Sequence, residues 1–142
     1  MRCGANMLRS GHARSPRHGS PLMLARRFAT VLGAFLLIEG IWGMFSPVVF
    51  GVLTTNVVHA TIHIALGIAG IWMGRSEMAR GYLLSVGILL LVVGVLRFVP
   101  AMSGIVVSIL NVNMAVAWLN IIVGAIALGI AMASKEDRAV VV

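Results

Sequence analysis

The sequence predicts an all-α fold, an integral membrane four-helix bundle with its N and C termini cytoplasmic. Three observations predict it. The first is composition. The chain is 60% hydrophobic and 11% charged with a mean hydropathy of +1.04, where soluble domains run at roughly 45–50% apolar and 25% charged. At 142 residues it is one domain's worth of chain, too small to hide that much apolar surface from water. The second is a set of four apolar segments, each near the ~20 residues that cross ~30 Å of hydrocarbon at 1.5 Å per residue. The third is where the positive charge falls. The tail before the first segment (Arg2, Arg9, Arg14, Arg17, Arg26, Arg27), the 75–80 turn (Arg75, Arg80) and the C-terminal tail (Lys135, Arg138) hold ten of the eleven basic residues. Basic loops stay cytoplasmic, and an even number of helices puts both ends on that side.

Residues 1–21 are rich in Arg, Ser, Gly, His and Pro and are expected to form a disordered basic tail. The bundle is expected over 22–134, with helices at about 28–45, 56–74, 81–99 and 113–133. A short tail, 135–142, follows. Arg26-Arg27 precede the first helix and Ser46-Pro47 follow it; the second stops at Arg75 and the third before Pro100. From Gly104 to Ala133 no residue carries a formal charge, too long a run for one crossing, so residues 101–112 are expected along the outer interface or dipping back. Ala25-Arg26-Arg27-Phe28 before an apolar run has the outline of an export signal. The run carries Glu39 and no small-x-small cleavage site, so an uncleaved first helix is expected. Trp42 and Trp118 near the outer boundary, with Trp72 and Tyr82 near the inner one, fit an aromatic belt.

Several function classes are excluded or disfavoured. The net charge of +7 sits on a membrane flank without aromatic interleaving, so nucleic acid is not an expected partner. Cys3 is the only cysteine, which rules out an internal disulfide and any cysteine-based metal site. Glu39 is the only carboxylate at membrane depth, which excludes paired-carboxylate chemistry there.

Membrane helices associate through small residues that let backbones approach. Each helix carries a stripe at 3–4 spacing: Leu32, Leu36, Glu39, Gly43 on the first; His59, His63, Gly67, Gly70, Gly74 on the second; Gly87, Leu90, Gly94, Arg97 on the third; Asn113, Ala117, Asn120, Gly124, Ala127, Ala131 on the fourth. The polar residues ride on these stripes. Counting 1.5 Å per residue from the outer ends puts Glu39, His63 and Asn120 ~9–10 Å deep, with His59 and Arg97 about a turn shallower. Glu39, His59, His63, Arg97 and Asn120 are thus expected to meet in one outer-half layer, with Glu39 and Arg97 as the charge pair.

Two readings of this cluster stand side by side. In the first it serves only to fix helix register, each polar group satisfied by another; in the second it binds a ligand or relays protons, since intramembrane ionisable groups often mark function. His59 and His63 at i, i+4 are weak candidates for a metal, with no His-Glu-x-x-His motif and Glu39 as the sole third ligand. Adjacent turns of one helix cannot place two imidazoles on opposite sides of a haem.

The stretch Val58-His59-Ala-Thr-Ile-His63-Ile-Ala-Leu-Gly67-Ile-Ala-Gly70 resembles helix 2 of a bacterial four-helix membrane family catalogued as domain of unknown function 4383. Val112-Asn113-Met-Ala-Val-Ala-Trp118-Leu119-Asn120, followed by Gly124, resembles the opening of that family's helix 4. The likeness covers about residues 28–133. It implies a four-helix bundle of the inner (plasma) membrane and no established activity. The family motif commonly reads Trp-Leu-His where this chain has Asn120, so the resemblance carries no histidine-lined metal site over to it.

The expectation is a non-enzymatic, multi-pass membrane protein, either a structural or accessory subunit or a small-ligand binder, with no cofactor. Its partners are membrane lipid and a homo-oligomer or larger membrane complex. The alternatives are a transporter or proton-relay component using Glu39, His59, His63 and Arg97, and a metal- or quinone-linked redox protein.

Overall fold

A computed structural model describes residues 21–136; of the tails expected at 1–21 and 135–142, residues 1–20 and 137–142 lie outside the described residues, while Pro21 and residues 135–136 belong to helices. Five helices and one short strand pair follow in order: α1 (Pro21–Gly43), β1 (Val48–Val49), β2 (Leu53–Thr54), α2 (Val57–Gly74), α3 (Ala79–Leu96), α4 (Pro100–Leu110) and α5 (Met114–Glu136). Of these, α1, α2, α3 and α5 are long and apolar enough to cross a membrane; α4, at 11 residues, is not.

The helix bounds differ from the sequence expectation at informative places. α1 begins at Pro21 rather than near Phe28, so Arg26 and Arg27 lie inside the helix. Arg26, a cation that the sequence treats as a flank, pairs through its guanidinium Nη2 with Glu77 in the α2–α3 turn, while its buried Nε has no hydrogen-bond partner among the described residues. α3 ends at Leu96 with Arg97 as its C-cap. Residues 100–110 form a helix of their own, with Pro100 in its first turn, where a missing N–H costs nothing. Asn111 ends that helix in the left-handed conformation at φ 52, one that Asn tolerates better than most residues.

The transmembrane-length helices pair as α1 with α2 and α3 with α5. Glycine is what lets them. A Cβ on Gly67 would lie 2.6 Å from the Leu37 nitrogen and 2.8 Å from the Gly33 oxygen, and one on Gly124 would lie 2.8 Å from the Gly87 oxygen. The backbones therefore touch with no side chain between them. Larger residues join the two pairs: Ala25, Ala29, Leu32 and Leu36 of α1 pack with Leu83, Val86 and Leu90 of α3 and Ala127 and Ala131 of α5. α1 touches all three other long helices, whereas α2 and α5 do not pack on each other.

One end of the bundle is capped by β1–β2 and α4, built around Val49, Leu53, Val106, Val112 and Val116. The strands pair antiparallel with Val48 opposite Thr54 and Val49 opposite Leu53. Phe50 and Gly51 turn between them at positive φ, 50 and 77. That conformation costs a residue with a Cβ roughly 1 kcal/mol, and Phe50 offsets it by stacking on Phe35 at 6.2 Å and meeting Trp42 at a tilt at 5.2 Å. At the other end, Arg80 donates to the Ala131 carbonyl at 3.0 Å and Ser134 to the Pro21 carbonyl at 3.0 Å. Tyr82 is buried rather than part of an aromatic belt. Its hydroxyl donates to the Leu66 carbonyl at 3.0 Å, and its ring lies over Gly70, where no side chain competes for the space. Trp42, Trp72 and Trp118 face outward.

Candidate functional site

The capped end holds most of the polar chemistry. Asn56 starts α2 by accepting from the His59 N–H at 2.9 Å, and its amide donates to the Ile109 carbonyl at 2.8 Å. Asn111 donates to the Thr55 carbonyl at 2.8 Å, and Thr54 donates to the Asn111 carbonyl. Asn113 donates to the Val52 carbonyl at 2.7 Å and accepts from the Val116 N–H at 2.9 Å, which makes it the cap of α5 rather than a member of its stripe. These bonds sew the 46–56 loop to α4 and to the α4–α5 link, giving the Val52, Thr55, Ile109 and Asn111 carbonyls partners outside regular structure. The sequence reading missed this stitching. Its available signal was Asn directly before the apolar runs of α2 and α5.

Beneath the cap lie the predicted site residues. Glu39, His59, His63 and Asn120 are all buried, each no more than 5% exposed. Glu39 Oε2 stands 3.2 Å from His63 Nδ1. The His59 and His63 rings meet edge to face with centroids 4.2 Å apart. His59 Nδ1 lies 2.9 Å from the Leu110 carbonyl. Asn120 makes no hydrogen bond to the protein among the described residues.

Arg97 is the exception. It forms no ion pair with Glu39; its Nε donates to the Val112 carbonyl at 3.0 Å. The reason is position. Arg97 caps α3 at the level of the α4–α5 link, while Glu39 lies about a turn deeper on the face of α1 that meets α2, where His63 is the nearest partner. Opposite charge alone pointed to the wrong pair.

A cavity of about 80 Å³ opens between the helix pairs, lined by His59, Ile62, His63 and Leu66 of α2, Leu89, Leu90 and Val93 of α3, Leu110 and Asn120. Its existence follows from the packing: α2 and α5 do not meet, and the space between them near the cap is left unfilled. The polar walls are three side chains, and everything else lining it is aliphatic. Among the described residues no three His, Cys, Asp or Glu side chains come together in a way that would hold a metal ion. His59 and His63 each commit Nδ1 to a protein partner.

An all-α bundle of four helices long and apolar enough to cross a membrane, with Glu39, His59, His63 and Asn120 buried beneath a cap at one end, has the build of a multi-pass membrane protein. Within that class the chain belongs to the family described as domain of unknown function (DUF4383), whose model matches residues 26–133. No curated protein and no solved structure matches it.

Proposed function

We propose that this chain is a non-enzymatic protein of the bacterial inner membrane that crosses it four times, with both termini in the cytoplasm, and that it binds a small ligand in the cavity beneath its outer cap. Charge supports the orientation: Arg75 and Arg80 lie in or next to the α2–α3 turn, whereas the capped end offers only Arg97. The observation that carries the binding role is Asn120, a residue 5% exposed whose side-chain amide lines a cavity and has no hydrogen-bond partner among the described residues. An amide that serves only helix register would be satisfied by its neighbours, whereas this one is left open to whatever occupies the cavity.

A proton relay is less well supported. Between the Glu39 layer and the opposite end the buried core is Ala25, Ala29, Leu32, Leu83, Val86, Ala127 and Ala131 with Tyr82, and the one hydroxyl among them is held on the Leu66 carbonyl at 3.0 Å, so no chain of titratable groups continues across the bundle.

Native mass spectrometry on protein extracted from its own membrane in a mild detergent tests the proposal. The wild type should retain a non-protein mass that Asn120→Leu loses. A wild type that flies bare after gentle extraction would overturn the binding role and leave the cluster as a register device.

A further inference from the structure

The cavity wall has a fixed hydrogen-bonding polarity, and that polarity defines a ligand. The Leu110 carbonyl can only accept, so the His59 Nδ1 facing it at 2.9 Å carries the proton. In the neutral ring, Nε2 then presents a lone pair. His63 Nδ1 faces the Glu39 carboxylate at 3.2 Å, so in the neutral ring with its proton on Nδ1 the Nε2 is likewise an acceptor. Neither Nε2 has a hydrogen-bond partner in the described protein. Asn120 supplies the opposite sign, with two amide N–H donors beside its own acceptor oxygen.

A group that satisfies both walls must donate and accept at one atom. A hydroxyl does so. A ketone or ether oxygen could take the Asn120 donor, but would set its lone pairs against those of the imidazoles. A phosphate headgroup fits worse, because no Lys or Arg lines the cavity and Glu39 stands behind His63.

The rest of the ligand must be apolar and must lead out sideways. The cavity, at about 80 Å³, holds a hydroxyl and a few carbons and no more. Its rim carries Ile62 of α2 and Leu89 of α3, 38% and 41% exposed on the outer surface of the bundle. Both lie ~8–10 Å from the capped ends of their helices, at hydrocarbon depth. α2 and α3 pack on each other far less than either packs within its own pair, so the mouth lies at a sparsely packed helix contact.

We infer that the cavity is a lateral site for a lipid alcohol, a hydroxyl on a long hydrocarbon or isoprenoid tail, which enters between α2 and α3. The hydroxyl donates to an imidazole Nε2 and accepts from Asn120, while the tail stays in the bilayer along Ile62 and Leu89. This rests on the ligand-binding role proposed above and specifies its chemistry.

The test uses the full chain in phosphatidylcholine nanodiscs with three probes of matched length: 1-hexadecanol, hexadecyl methyl ether and hexadecanal. Displacement of radiolabelled hexadecanol is the readout. The alcohol should bind roughly tenfold or more tightly than the ether or aldehyde, as expected when a hydrogen bond is left unmatched in a buried site. That preference should vanish in Asn120→Leu, and in Leu89→Trp, which blocks the mouth and leaves every polar group in place; should Asn120→Leu fail to fold, Leu89→Trp alone decides. Equal affinity for the three probes, or an alcohol preference that survives in Leu89→Trp, overturns the inference. If the natively extracted protein carries an Asn120-dependent mass while the probes bind alike, the site stands and the ligand class falls. If neither binds, both fall.

Discussion

Replacing Gly67 by Ala tests whether backbone contact, rather than side-chain packing, holds each helix pair. The added Cβ would lie 2.6 Å from the Leu37 nitrogen and 2.8 Å from both the Leu37 Cα and the Gly33 oxygen. Ordinary carbon contacts lie at ~3.5 Å or beyond, so the methyl group is short of room by up to ~0.9 Å. The atoms it meets are all helix backbone, which cannot rotate aside, so α1 and α2 must move apart along the crossing. Overpacking of this kind costs ~1–3 kcal/mol. Ala gains back up to ~1 kcal/mol over Gly in a helix interior, leaving a net loss of up to ~2 kcal/mol. Gly129 is the internal control. It lies in α5 with nothing within 4 Å of a Cβ, so Gly129→Ala should be neutral or stabilising by up to ~1 kcal/mol.

Reversible unfolding in mild detergent with increasing dodecyl sulfate, followed by circular dichroism, measures both variants on one scale. Gly33 meets Gly67 at the same crossing, so Gly33→Ala combined with Gly67→Ala should cost less than the sum of the single changes. If Gly67→Ala and Gly129→Ala agree in sign and lie within ~0.5 kcal/mol of each other, the close backbone approach is not what holds the pair and the reasoning fails.

A double-mutant cycle on Glu39→Gln and His63→Asn should give a coupling of about 1 kcal/mol, within the range of polar pairs inside membrane bundles. Glu39→Gln and Arg97→Gln should add; strong coupling between those two would refute the pairing described above. Asn56→Ala should cost ~1–2 kcal/mol through loss of the α2 cap, and Asn56→Asp less, since the carboxylate still caps. Both should speed hydrogen exchange at 100–113, because both lose the donor to Ile109, and unchanged exchange there would show that α4 is held by other means. In a Cys3→Ser background, Ser103→Cys should react with a membrane-impermeant maleimide on intact cells and Ser76→Cys only after permeabilisation; the reverse pattern would invert the topology.

What the sequence made legible is the layer; what it hid is the pairing within it. Four apolar runs and a 1.5 Å rise are enough to place Glu39, His63 and Asn120 at one depth, because depth depends on helix position alone. Which side chains then touch depends on how each helix is rotated and where it ends. Arg97 reads as a stripe residue until α3 is seen to stop at Leu96. Asn113 reads as a stripe residue until α5 is seen to start at Met114. α4 is a different case: the uncharged run from Gly104 to Ala133 is too long for one crossing and sets 101–112 apart, but that the segment is a helix of its own has no signal beyond Pro100 and Asn111 at its ends. The α1 start was misplaced because Arg26 and Arg27 look like a flank. A long cation can lie inside a helix when its head reaches the surface or an acid, as Arg26 does at Glu77.

The two kinds of helix contact also explain why a cavity forms where it does. Within a pair, glycines fix the distance at backbone contact, with no freedom to widen or close. Between pairs, side-chain volume fixes it, and that volume is uneven along the bundle. Toward the uncapped end, Tyr82 and Leu83 fill the gap. Toward the cap, the side chains that reach into it are His59, His63 and Asn120, and the first two are held back by Leu110 and Glu39 rather than extended into the space. Above them the loop, α4 and the α4–α5 link are stitched by Asn56, Asn111 and Asn113 and cannot settle inward to fill it. The walls are therefore ordered before a ligand arrives. Binding there need not supply the free energy of ordering side chains, a cost that commonly consumes much of the gain from contact, so even a ligand with one hydroxyl and a few enclosed carbons has enough to hold it.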